Sequence, residues 1–436
     1  MIQLSSSTAY SSSSRRAVTR MAEISDSGIQ MGRVSDDQLV YSARSKQVST
    51  VVRFAGVGKS FWGPVSRFFS RIFEEHQEWL PRQKLKLAGY IEAKLNKLRQ
   101  IFAAFMMVLS TAIPMPDNLY NRLCKDYFFS PRKVVDLKFR EYPELSQKVS
   151  VHAFQLTPGA PDIQMIHSFY LPAKPGEFTY IFFHGRDTNL GHLEHLFKVA
   201  DEKGVGMFAI DYPGFGKSDG SPGEAQAKLA GLAGTRFLAG DGYHGGLNVP
   251  YEKTRIIGYS MGGGVASYVA EQFAECMKDP MKKTFNLKNK QQPGGLILVN
   301  TFTSIPELFC DKLSEQKNWL VKRLAKWFDP KRINIKFNSG EAVKNVSMPI
   351  RVFHCANDHT VPKITSQKLA DAAQVGKSED VKCFNDLAGE NHNLKEPGVR
   401  DIFWRLAQDK YEVALGTRTL NLPDTGKVNQ LKFTQG

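Results

Sequence analysis

From about residue 145 onward, short apolar runs alternate with longer stretches whose apolar residues recur at helical spacing. The runs read VSVHAF, IQMIHSFYL, TYIFFHG, VGMFAIDYP, TRIIGYS, GGLILVNTF, PIRVFHC and VKCFNDL. Several are almost unbroken in Val, Ile, Leu and Phe, the pattern of parallel strands buried on both faces. Strands separated by amphipathic helices predict a doubly wound α/β sheet, here over residues 141–415. Ligands of such sheets gather beyond the carboxyl ends of the strands, so the residues that close each run are where chemistry is to be sought.

Two intervals break the alternation. Residues 278–292 (KDPMKKTFNLKNKQQ) hold five lysines and predict a surface loop. Residues 305–345 contain NWLVKRLAKWF, in which Trp319, Leu320, Leu324, Trp327 and Phe328 share a helical face. That face fits a lid-like segment over a pocket, and packing on the main body is equally open to it.

Ahead of the sheet the pattern differs. Residues 1–55 are polar, serine-rich and basic (SSSTAYSSSSRR), with too few large apolar residues for a core, which predicts disorder. Residues 56–140 read as helical: VSRFFSRIF places Val65, Phe68, Phe69, Ile72 and Phe73 on one face beside Arg67 and Arg71. The apolar run at 101–115 (IFAAFMMVLSTAIPM) falls short of the roughly 20 residues of a membrane span. It reads as a buried helix or as an interfacial anchor. No apolar stretch of the secretory-signal kind follows the first residues. Arg15, Arg16 and Arg20 with no acid before Glu23 would also suit an organelle presequence or a bacterial export signal. Residues 416–436 read as a tail.

Composition narrows the class. Of 436 residues, 42% are hydrophobic and 23% charged, which suits a folded globular domain. Cys124, Cys276, Cys310, Cys355 and Cys383 are odd in number and scattered, so free thiols in a reducing compartment are expected. No Cys/His spacing calls for a metal, and no cofactor is expected. The net charge of +15 sits mostly at the front, where residues 1–140 carry 22 Lys/Arg against 11 Asp/Glu. Such a surface suits an anionic membrane; a solvated basic face without a partner accounts for it as well. Nucleic acid is not expected, because no recognition module is present. FAGVGKS at 54–60 imitates a phosphate-binding loop, but Arg53 stands where the first glycine is required.

The chemistry is read from GYSMGGG at 258–264. It follows the run TRII and precedes the helical VASYVAEQF, the strand, G-x-S-x-G, helix context of a nucleophile elbow. Ser260 is the candidate nucleophile. Elbows of this kind take their partners in the order serine, acid, histidine. Asp358, after PIRVFHC, and His392, after VKCFNDL, stand at later strand ends in that order. Asp386 is a weaker alternative for the acid, lying close to its strand and six residues before His392. His359 reads as a loop histidine. His184 precedes the serine and so opens the oxyanion loop instead. The expected oxyanion donors are the backbone N–H groups of Met261 and Arg186.

The ordered series FFHGRDTN, AIDYPGFGKSDGSPGE, GYSMGGGVA, NTFTSIPEL, HCANDHTVP and GENHN resembles the serine α/β hydrolases. Among them it is most similar to the bud-emergence-related and protein-depalmitoylase-type α/β-hydrolase-domain proteins. The resemblance spans residues 148–410. It implies an α/β-hydrolase fold of about eight mostly parallel strands and the triad Ser260, Asp358 and His392; the helical N-terminal extension lies outside it. The chain departs from the family in having Arg186 after His-Gly and Cys355 after His354. The expected activity is hydrolysis of an ester or thioester, on a lipid or an acylated protein at an anionic membrane. The alternative is a catalytically silent adaptor on the same scaffold.

Overall fold

The computed structural model describes residues 90–96 and 116–408, apart from 134–138, 140, 280, 288–290, 315–328, 388–391 and 393. It also describes, by backbone, five strands before residue 56. The chain divides into two compact units, Met1–Lys86 and Leu87–Gly436. In the first, β1 (Gln3–Ser5), β2 (Met21–Glu23), β3 (Ile29–Ser35), β4 (Gln38–Ser45) and β5 (Val48–Ala55) form an antiparallel sheet in the order β1-β5-β4-β3-β2. Composition predicts disorder over this stretch. The longer strands begin where the serine run gives way to β-branched and aromatic residues, as in VSTVVRFA, which favour extended backbone. The apolar run at 101–115, the candidate lid helix at 319–328 and the tail at 416–436 lie outside the described residues, as does the glycine loop at 56–60.

The second unit contains α1 (Asp117–Phe128), β6 (Ser150–Gln155), β7 (Met165–Leu171), β8 (Thr179–Phe183) and α2 (Glu194–Lys203). They are followed by β9 (Gly206–Ile210), α3 (Glu224–Ala239), β10 (Thr254–Tyr259), α4 (Met261–Lys278) and β11 (Leu296–Val299). The chain then forms α5 (Ile305–Ser314), α6 (Ser339–Asn345), β12 (Ile350–Cys355), α7 (Lys363–Gln374), β13 (Val381–Leu387) and α8 (Glu396–Gln408). The eight strands lie in the order β13-β12-β11-β10-β8-β9-β7-β6. Only β7 runs against its neighbours β6 and β9; every other pairing is parallel. This is the α/β-hydrolase fold.

The strand β8, TYIFF, shows why the runs read as unbroken. All five residues are buried. Successive side chains point to opposite faces. Ile181 and Phe183 therefore enter the core beneath α1, α3, α4, α6 and α7, while Tyr180 and Phe182 enter the core beneath α2 and α8. The strand order reverses between β8 and β10, since β9 returns on one side of β8 and β10 on the other. A crevice opens beyond the carboxyl ends at such a reversal. The residues closing β8 and β10 are His184 and Ser260.

Two packing details depart from the linear reading. Helix α1 buries Tyr120, Leu123, Cys124 and Phe128 in the core of this unit, so the unit begins at Leu87, ahead of the expected boundary near 141. The lysine-rich 278–292 stretch is also pinned: Phe285 is 2% exposed and stacks on Phe273 with ring centroids 3.8 Å apart. Lys278, Lys282 and Lys283 take the solvent while its one aromatic residue is driven inward. Phe285→Ala should cost about 3–5 kcal/mol, read as a lower urea midpoint with an unchanged denaturant slope.

Candidate active site

The junction of β10 and α4 places Ser260 at φ 53°, ψ −122°, in the left-handed half of backbone space. A non-glycine residue there costs on the order of 1–3 kcal/mol unless its surroundings hold it. Its N–H donates to Val299 O at 2.9 Å. Its carbonyl accepts the Thr301 hydroxyl at 2.7 Å and the Gly263 N–H at 2.9 Å. Neighbouring backbone closes the turn from both sides. A Cβ on Gly258 would lie 2.6 Å from Gly262 O, and one on Gly262 would lie 2.0 Å from Phe183 O. Only glycine fits either position, which is the physical content of the G-x-S-x-G spacing.

Asp358 follows the end of β12, and its side chain is fully buried. One carboxylate oxygen accepts the N–H groups of Thr360 at 2.7 Å and Val361 at 2.9 Å. The other lies 2.7 Å from His392 Nδ1. Burial alone would raise the Asp358 pKa, but the hydrogen bond and charge of His392 and the two amides outweigh it and hold the carboxyl below its usual range. Asp358 is therefore an anion at neutral pH, and the shared proton sits on His392 Nδ1. The other nitrogen, Nε2, then accepts the Ser260 hydroxyl, with 2.8 Å between Nε2 and Oγ. The structure thus brings Ser260, His392 and Asp358 into one hydrogen-bonded line.

The alternatives fall elsewhere. Asp386 is 73% exposed and pairs with Arg405 at 3.0 Å. His359 is exposed in the loop after β12. His184 is buried beside the elbow, with Nδ1 2.7 Å from Gly185 O and Nε2 3.6 Å from Asp211 Oδ1. The Tyr212 hydroxyl donates to its carbonyl at 2.9 Å. His184 thereby secures the loop that carries Arg186. Met261 opens α4, so its N–H has no acceptor within the helix. A histidine that sequence reasoning passed over, His354, lies 3.8 Å behind Asp358. Burial lowers its pKa, with Asp358 working against that shift. Its Nε2–H donates to Val361 O at 3.2 Å, and its Nδ1 accepts from Ser366 Oγ at 2.6 Å.

A small cavity of ≈ 50 Å³ opens at Ser260. Its wall is apolar: Tyr127 and Phe128 from α1, Phe302, Ile305, Leu308 and Phe309 around α5, and Phe337. Among the described residues, its charged lining groups are Arg186 and Lys312, with no carboxylate. The Arg186 guanidinium donates to Tyr127 O at 3.1 Å and lies 5.7 Å from the Tyr127 ring centroid. A larger cleft of ≈ 640 Å³ between α1 and the start of α3 contains none of Ser260, Asp358 and His392; volume alone would point to the wrong place. Among the described residues, no group of His, Cys, Asp and Glu is arranged to hold a metal. The wall from α1 was missed in the sequence, although YFF at 127–129 ends an amphipathic helix there.

Comparison with known proteins adds an independent line. A family described as serine aminopeptidase, S33, matches residues 177–343. The lysophosphatidylserine lipase ABHD12 of Danio rerio is 27% identical over 205 residues, covering 45% of this chain and 48% of that protein. Protein bem46 of Schizosaccharomyces pombe is 31% identical over 134 residues, 30% of this chain and 37% of bem46. This chain thus spans about half the length of the ABHD12 relative, or less for bem46. Among solved structures, an alpha-beta hydrolase from Vibrio vulnificus aligns over 67% of this chain and 91% of its own at 18% identity, with a TM-score of 0.46.

The close backbone contact at the elbow predicts a specific sensitivity. Gly262→Ala should lower stability by about 1–3 kcal/mol and reduce labelling of Ser260 by a fluorophosphonate probe. Urea unfolding and gel labelling of the same preparation check both effects.

Proposed function

We propose that this chain, a member of the serine α/β-hydrolase superfamily related to the bem46 and ABHD proteins, hydrolyses acyl esters or thioesters through Ser260. The observation that carries the proposal is the unbroken line from Ser260 Oγ through His392 to Asp358, with the serine held at positive φ. His392 Nε2 takes the serine proton as Oγ attacks the acyl carbonyl, and Asp358 stabilises the imidazolium that forms. The oxyanion develops towards the N–H groups of Met261 and Arg186, each such donor contributing on the order of 2.7–4 kcal/mol to the transition state. Collapse passes the proton from His392 to the departing alcohol or thiol and leaves an acyl-serine. Water, deprotonated by the same nitrogen, then releases the acid and restores Ser260.

The lining of the pocket bears on the substrate. An aminopeptidase must accept a free ammonium group, which calls for a carboxylate close to the scissile bond. Here, among the described residues, the charged lining groups are both cations, and most of the remaining wall is aromatic and aliphatic, with the hydroxyls of Ser260 and Thr360 beside it. That lining favours an acyl chain joined to a neutral or anionic leaving group. A lysophospholipid or an acylated protein meets that description, and one of the relatives bears the name lysophosphatidylserine lipase. The basic residues 1–140 would favour substrate on an anionic membrane surface. Among the described residues, no helix is long and apolar enough to cross a membrane.

The wild type should react with a fluorophosphonate probe and Ser260→Ala should not. A silent adaptor would leave both unlabelled, which would overturn the proposal. Asp358→Asn should lower kcat by about 10⁴-fold on p-nitrophenyl esters. Arg186→Gln keeps its backbone N–H but loses the fork that binds Tyr127 O, so it should lower kcat/KM modestly for neutral esters and several-fold more for lysophosphatidylserine. Equal loss on both substrates would remove the anion preference.

A further inference from the structure

His392 reaches both partners from a backbone that must itself be held. We infer that Tyr259 and Asn300 are positioning residues for the base, clamping the His392 backbone carbonyl and through it the reach of the ring from Asp358 to Ser260. The inference rests on the catalytic reading of Ser260 given above. The Tyr259 hydroxyl donates to His392 O at 2.6 Å, and Asn300 Nδ2 donates to the same oxygen at 3.1 Å. A carbonyl oxygen has two lone pairs, so these two donors satisfy it.

The two donors come from the places that matter. Tyr259 is the residue before Ser260, and its ring lies against the His392 imidazole with centroids 5.4 Å apart at 30°. Asn300 follows the last residue of β11 and is fully buried. Its N–H donates to Phe353 O, and its Oδ1 accepts the Cys355 N–H at 2.8 Å. Cys355 ends β12, and its carbonyl accepts the Asp358 N–H at 3.2 Å. One asparagine side chain therefore ties the strand end that leads to the acid to the backbone of the base. Tyr259 ties the same oxygen to the nucleophile's own strand.

Asn300 sits at φ 48°. Glycine would meet that backbone requirement at lower cost. The side chain, not the turn, is what requires asparagine, and its amide is the one group there that both accepts from β12 and donates to His392. Only two torsions separate the His392 backbone from Nε2, so a shift of the carbonyl is carried to the ring. Misplacement of a reacting group by about 1 Å costs on the order of 10²-fold in rate.

Tyr259→Phe removes one donor and keeps the ring, and Asn300→Gly removes the other while accommodating the positive φ. In the full chain, each should lower kcat about tenfold or more and leave KM within about twofold, with the double variant near a hundredfold. The proton between His392 Nδ1 and Asp358 should give a far-downfield NMR signal in the wild type that broadens or shifts in both variants. Tyr259→Phe should melt close to the wild type; should Asn300→Gly fail to fold, Tyr259→Phe decides the matter alone. A reactive wild type whose folded variants keep its kcat and its downfield signal would overturn the clamp. A wild type inert to the fluorophosphonate probe would instead overturn the catalytic reading, and the clamp would fall with it.

Discussion

The contact on which the site depends is the approach of the first turn of α4 to the ends of β8 and β10. At Gly262 the helix lies so near Phe183 O that a methyl group could not enter. That closeness forces the chain to turn within one residue, and the residue that turns is Ser260, at positive φ. The strain is local, while the forces that offset it are spread over the cores on both faces of the sheet. A buried helix and strand cannot separate to relieve one residue without losing far more apolar contact. The placement of the serine side chain at the edge of the cavity is therefore a consequence of packing.

Around that fixed point the electrostatics follow one rule, that a buried charge must be paired on every side. Asp358 is buried and would resist ionisation were it not for two amides and a histidine N–H. Those donors occupy the carboxylate so that it orients His392 without taking its proton. His354 closes the space behind, uncharged because burial disfavours its cation, although Asp358 works the other way. The result is a hydrogen-bonded line from Asp358 through His392 to Ser260 at the carboxyl ends of the strands, with the serine at the end that borders the cavity.

Much of this was legible in the sequence, because the sheet and the elbow rest on local rules. Unbroken runs such as TYIFF predict strands buried on both faces, and GYSMGGG between a strand and a helix predicts the turn at Ser260. Asp358 and His392 could be singled out because topology delivers successive strand ends to one crevice. What stayed hidden depends on contacts between residues far apart in sequence. Nothing in NTFTS marks Asn300 as a bridge to His392. Nothing in the lysine-rich stretch marks Phe285 as a ring that stacks on Phe273, and the YFF of α1 reads as one helix face among several. The strands between residues 29 and 55 are a different case: a serine-rich composition dominates the average there and masks the β-branched segments within it.

Arg186 shows how a departure from a family pattern can be absorbed and put to use. Its backbone lies on the loop after β8, where the proposed chemistry requires only an N–H, so the side chain is free to vary. That side chain reaches across the pocket mouth to the carbonyl and ring of Tyr127, near the end of α1. The aromatic wall that α1 supplies is therefore fastened to the loop that would receive the oxyanion. A guanidinium suits this better than an ammonium, since its planar fork can hold a carbonyl with one donor and present others to the cavity. Lys312 adds a second positive charge to a lining whose other residues are mostly aromatic and aliphatic. Under the proposed function such a pocket would sort substrates by two separate properties, an acyl chain that suits the aromatic lining and a leaving group that tolerates or welcomes nearby cations.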